Sequence, residues 1–163
     1  MDCTDSLTPQ VSYYEVEGEV DITEKLNMNE PRNIGQAIGK ILVMEEDSGV
    51  RTLIGKILTK YGYEVSSARD GIEAIELYQS AQALDRSFDI VILDLTVDFG
   101  MGGIETIQKL KEIDPDVKGI VTTGYIFDDV ICNYQEYGFC GALTKPIKLH
   151  ELNSLVDKLT KSR

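Results

Sequence analysis

Five short apolar runs, separated by stretches of helical periodicity, constrain this chain more than any other feature. The runs are Ile41-Leu42-Val43-Met44, Tyr63–Ala68, Ile90-Val91-Ile92-Leu93, Gly119–Thr122 and Gly141–Leu143. Runs this short and rich in Ile and Val predict strands buried on both faces. Between the first two, Val50, Leu53, Ile54, Ile57 and Leu58 recur at i, i+3, i+4, i+7 and i+8, and Tyr61-Gly62 supplies a helix stop. Asp47 or Ser48 is placed to cap that helix. Ile72, Ile75 and Tyr78 predict a second helix. Ile104, Ile107 and Leu110 predict a third, ended by Asp114-Pro115. Val130, Ile131 and Tyr134 predict a fourth that stops at Gly138, and Leu149, Leu152, Leu155, Val156 and Leu159 a fifth.

Strands and helices in strict alternation imply right-handed crossovers and a parallel sheet covered on both faces. Five of each predict a flavodoxin-like, doubly wound α/β fold with strand order 2-1-3-4-5. Ligands of such sheets bind beyond the carboxyl ends of the strands, near the switch point between the first and third. Before Lys40 no period is sustained. Residues 1–38 are expected to be an acidic arm or linker, partly disordered, with one possible short strand over Val11–Val16. Residues 39–163 are expected to be the folded domain.

The strand ends carry chemistry. The first run leads into Glu45-Glu46-Asp47, the third into Asp94, the fourth into Thr122-Thr123-Gly124 and the fifth into Thr144-Lys145-Pro146. Acids on adjacent strands can hold Mg²⁺, which favours a few carboxylates, waters and substrate phosphate. A lysine and a hydroxyl nearby can neutralise phosphoryl oxygens, and an aspartate there can be an in-line nucleophile giving an acyl phosphate.

Here the motifs KILVMEEDSGVR, FDIVILDL, VKGIVTTGY and LTKP resemble, in order and spacing, those of two-component response-regulator receiver domains. The stretch DLTVDFGMGG is similar to receivers attached to hybrid sensor histidine kinases. The resemblance covers about residues 39–161. It implies that Asp94 accepts the phosphoryl group, that Thr123 is the switch hydroxyl and that Lys145 is the phosphate-facing lysine, followed by a cis peptide to Pro146. It implies a Mg²⁺ site of Glu45, Glu46, Asp94 and the Thr96 carbonyl. It also implies a histidine kinase or histidine phosphotransfer protein as partner, and a receiver that assists its own phosphorylation and dephosphorylation without being a conventional enzyme.

The chain departs from that pattern in three places. Glu46 stands where receivers usually carry aspartate, which predicts weaker or water-mediated Mg²⁺ binding. Asp98 stands where a proline commonly follows the Val97 position, and Phe99 is expected to be an exposed loop aromatic. Ala142 replaces the switch aromatic three residues before the lysine, leaving the read-out without its usual carrier; Tyr125 is the nearest substitute. These departures keep open a second function, a pseudo-receiver acting as an unphosphorylated interaction module. An aspartyl-phosphate phosphohydrolase would need an acid two residues after Asp94, where Thr96 stands.

Composition sets outer limits. The net charge of −12 argues against non-specific nucleic-acid binding. Half of that excess lies in residues 1–39, where eight acids face Lys25 and Arg32. Cys3, Cys132 and Cys140 form no pairing or metal spacing and are expected to be reduced thiols. No run reaches membrane-spanning length, and MDCTDSLTPQ has no signal-peptide character, so the cytoplasm is the expected location. Gly100, Gly102 and Gly103 are expected as turn residues rather than a phosphate loop. His150, the one histidine, is expected at the surface with no nucleophile beside it.

Overall fold

The computed structural model describes residues 37–125 and 129–162. The expected arm, with its candidate strand and Cys3, lies outside them apart from Ala37 and Ile38. Ile38 already donates its N–H to Gly62 O. Ala37–Arg163 forms one compact unit.

Among the described residues the order is β1 (Lys40–Met44), α1 (Ser48–Lys60), β2 (Glu64–Ala68), α2 (Gly71–Ala83), β3 (Ile90–Asp94), α3 (Gly103–Ile113), β4 (Gly119–Thr123), α4 (Asp129–Cys132), β5 (Gly141–Thr144) and α5 (Leu149–Lys161). The sheet is parallel throughout, in the order β2-β1-β3-β4-β5. That is the doubly wound α/β architecture the alternation predicts.

The side-chain alternation of the central strands builds two cores. Leu42, Met44, Val91, Leu93 and Val121 join Ala74 and Tyr78 of α2 and Ile107 and Leu110 of α3 on one face. Ile41, Val43, Ile90, Ile92 and Ile120 join Ile54 and Leu58 of α1 and Leu152 and Val156 of α5 on the other. A side chain of this kind contributes about 1.5–3 kcal/mol on full burial. The two-faced demand explains why β1, β3 and β4 read as unbroken apolar runs.

Two elements differ from the sequence expectation. β2 pairs only with β1 and forms an edge, so Glu64 and Ser67 face solvent rather than a second core. The fourth helix ends at Cys132 instead of running toward Gly138. The Asp129 carboxylate accepts from both Asn133 Nδ2 and Tyr137 Oη, each at 2.8 Å, and the chain then closes turns from Glu136 N to Asn133 O and from Phe139 N to Tyr134 O. Val130 and Phe139 are buried all the same. The apolar spacing therefore marks which side chains anchor, not how far the helix extends.

Helix ends follow local chemistry. Asp47 caps α1 by accepting the Val50 N–H at 2.9 Å, and this bond, with a second from Gly49, holds its carboxyl below the usual aspartate range. Gly62 closes the helix with φ of +97°, a conformation that costs a side-chain-bearing residue energy. No helix among the described residues is long and apolar enough to cross a membrane.

Candidate functional site

The carboxyl ends of β1, β3 and β5 converge on a buried group of three charges. Asp94, the last residue of β3, is 5% exposed, and Glu45, just past β1, is 2% exposed. Lys145, just past β5, places Nζ 2.7 Å from Asp94 Oδ2 and 2.7 Å from Glu45 Oε2. Its bond to Asp94 is a directed hydrogen bond. Glu45 Oε2 has the ammonium beside it but receives no directed N–H or O–H, whereas Glu45 Oε1 accepts from Asp47 N at 3.0 Å.

Continuations of the ladder past the strand ends fix this arrangement. Glu45 N donates to Ala68 O, Leu95 N to Thr122 O and Lys145 N to Thr123 O. The Lys145–Pro146 peptide is cis. Gly103 opens α3 directly under β3, where a Cβ would come within 2.6 Å of Asp94 O. Only glycine allows the helix this close.

Burial raises the Asp94 carboxyl above the ordinary aspartate value; the hydrogen bond from Lys145 works against this, and the Glu45 charge adds to it. For Lys145, burial alone would lower the ammonium pKa, but the two carboxylates outweigh it and the net shift is upward. Three ionisable groups held in one place at the ligand-binding edge of a parallel sheet are the makings of a functional site.

The other sequence candidates lie around this centre. Thr123, at the end of β4, is buried, and its Oγ1 accepts the Tyr125 N–H at 3.2 Å; no hydrogen bond joins it to Asp94. Thr96 is exposed, with its N–H 3.4 Å from Asp94 Oδ1. Glu46 is exposed, its Oε2 accepting from Asp98 N at 2.9 Å. Phe99 is 96% and Tyr125 70% exposed, and His150 is at the surface. Cys132 and Cys140 are exposed and, among the described residues, in no disulfide. Arg51 was assigned no role by the sequence, yet its Nη1 bonds the Glu45 and Glu46 carbonyls and fixes the loop that carries both acids. Its place in the KILVMEEDSGVR motif is the signal that could have shown it.

The oxygen set suits a hard divalent cation. Mg²⁺ is commonly held by one or two carboxylates, with waters and phosphate completing the octahedron. Glu45 and Asp94 supply two, and the undirected Glu45 Oε2 is a buried anionic oxygen with lone pairs to spare. Among the described residues no three acidic, histidine or cysteine side chains converge on one point, and Glu46 is engaged by the Asp98 amide.

Comparisons with known proteins agree with this geometry. A family model described as the response regulator receiver domain matches residues 41–157. Sporulation initiation phosphotransferase F of Bacillus subtilis (strain 168) is 30% identical over 119 residues, covering 73% of this chain and 91% of that protein. Sensor kinase CckA of Brucella abortus (strain 2308) is also 30% identical over 119 residues, but the match covers only 12% of its length. The equal identities give no preference to sensor-kinase receivers over others. Among solved structures, the response regulator protein TrrA from Thermotoga maritima, in complex with Mg²⁺-BeF, superposes with a TM-score of 0.63 at 26% identity, covering 74% of this chain and 98% of that one. With sheet order, charged centre and family match in agreement, the chain belongs to the response regulator receiver domains of two-component systems.

Proposed function

We propose that this chain is a phosphorylatable receiver module of a phosphorelay, taking a phosphoryl group onto Asp94 from a histidine kinase or histidine phosphotransfer protein. The observation that carries the proposal is the Lys145 ammonium shared between Asp94 and Glu45 at the ends of three strands. Such an ammonium keeps a buried aspartate ionised and positioned, and it is already in place to meet the charge of an arriving phosphoryl group.

Lys145 occupies Asp94 Oδ2, while Oδ1 has only the long Thr96 N–H contact, so Oδ1 is the oxygen free to attack. Its lone pair forms the new O–P bond as the P–N bond of the phosphohistidine breaks, and the imidazole nitrogen leaves with the electron pair. Thr123 Oγ1 takes the Tyr125 N–H on one lone pair and can turn its own proton toward a phosphoryl oxygen. A Mg²⁺ ion held by Glu45, Asp94 and the Thr96 carbonyl, with Glu46 reaching it only through water, would neutralise phosphoryl charge. Hydrolysis of the acyl phosphate regenerates the carboxylate. In this proposal residues 39–163 are the receiver, residues 1–38 a separate acidic arm, and the protein is cytoplasmic.

The pseudo-receiver reading draws its support from Glu46, engaged by the Asp98 amide, and from Ala142. One experiment decides between the two. Incubation with Mg²⁺ and acetyl phosphate should give a single phosphoryl adduct by intact mass, absent in Asp94→Asn. No adduct, or an adduct that survives the substitution, would remove the phosphorelay function and leave the interaction module.

A further inference from the structure

We propose that Glu46 is a positioning residue, a latch that holds the loop after β3 through the Asp98 amide, and that a metal ion is bound at Glu45 and Asp94 without direct ligation by Glu46. The metal part of this proposal rests on Asp94 being the acceptor. The latch itself rests on geometry alone.

Three observations carry it. First, Glu46 Oε2 accepts from Asp98 N at 2.9 Å, a bond between residues 52 apart in sequence that joins the β1–α1 loop to the β3–α3 loop. A carboxylate accepting a backbone N–H makes a charge-assisted hydrogen bond, roughly twice as strong as a neutral one. Second, the donor exists only because of a departure at the other end. Asp98 stands where the resemblance places proline, which has no N–H to give. Third, the two neighbouring acids are held in opposite senses. The Arg51 guanidinium grips both their carbonyls, Glu45 points inward to Lys145, and Glu46 lies at the surface facing the loop. The extra methylene of glutamate over aspartate gives the reach to cross to the loop. The two departures at 46 and 98 are thus one device.

Its effect is to fix the loop that leaves the acceptor. The far side of that loop is tied by Gly71 N to Met101 O at 2.9 Å and by Gly103 N to Leu95 O at 3.3 Å. With the latch closed, the backbone that carries Thr96 is bonded both before and after its tip, and exposed Phe99 is presented from a fixed base.

The test uses the full chain and two readouts. Amide exchange of Asp98, followed by NMR in metal-free buffer, should be faster by about fivefold or more in Glu46→Ala. Glu46→Gln, whose side-chain carbonyl can still accept, should retain the protection. Mg²⁺ titration, read from amide shifts around the site, should change by no more than about threefold in Glu46→Gln and by about tenfold or more in Glu45→Gln. Equal Asp98 exchange in wild type and Glu46→Ala would overturn the latch. Loss of Mg²⁺ affinity in Glu46→Gln as large as in Glu45→Gln would make Glu46 a direct ligand and overturn the second half. The exchange readout needs neither metal nor phosphodonor, so failure to form the Asp94 adduct removes the proposed function and leaves the latch to be judged on its own.

Discussion

The β1–β3 side of the site and the β4–α4–β5 side are built to different standards. On the first, each charged group is tied: Asp94 and Glu45 to Lys145, the Glu45 backbone to Arg51, Glu46 to the loop opposite. On the second, Tyr125 stands exposed after Thr123, the helix is a single turn, and Ala142 offers one methyl where the resemblance places an aromatic. Apart from the packing of Val130, α4 is held by a carboxylate shared by an amide and a phenol at the surface. Stiffness is concentrated where a phosphoryl group would be received and is sparse where its arrival would be read. The two duties should therefore separate under mutation.

The sharpest way to break the comparison is Lys145→Met. It leaves two buried carboxylates facing each other without a counter-charge, and should lower the unfolding free energy by about 3 kcal/mol in urea titrations while abolishing adduct formation. A neutral result would mean that the first side is not held by its charges. Gly119→Ala comes next. A Cβ there would sit 2.6 Å from Ile107 Cδ1 and 3.1 Å from Phe139 Cδ1, so a loss of about 1–3 kcal/mol is expected, with acetyl phosphate labelling preserved in the folded fraction.

Asp94→Asn should act in the opposite direction. Because burial raises this carboxyl, the native state binds its proton more tightly than the unfolded chain does. The associated stability is present below the ordinary value of 3.8 and is lost as pH rises through the elevated folded value. The asparagine variant escapes that loss. Its advantage should emerge in melts above that pH and vanish below it. The smallest effect expected is that of Tyr137→Phe, which removes the hydroxyl bonded to Asp129. It should cost under about 1 kcal/mol and leave the labelling rate unchanged, while NMR shifts change around α4. A large drop in labelling would show the two sides to be coupled more tightly than their packing suggests.

Much of this was legible in the residues themselves. Ile41–Met44 and Ile90–Leu93 must be buried on two faces, and that demand writes itself as unbroken apolar sequence; the sheet order follows. Asp94 was legible because an acid at the end of such a run needs partners, and Lys145 through the LTKP motif that accompanies it. The length of α4 was not, since Val130, Ile131 and Tyr134 pack whether or not the helix continues. Nor was the Glu46–Asp98 contact, because its donor is a backbone N–H and leaves no mark in the side-chain alphabet.

One ammonium between two carboxylates leaves the pocket a single negative charge out of balance, at the mouth of a chain that is itself strongly acidic. A phosphorylated donor is an anion too. Beyond a Debye length, about 8 Å at physiological salt, the repulsion is largely screened; inside it the approach is uphill until local contacts take over. The site therefore sits behind an electrostatic threshold. Under the proposed function a small phosphodonor crosses it slowly, and a donor that brings basic residues beside its phosphohistidine carries its own means of crossing.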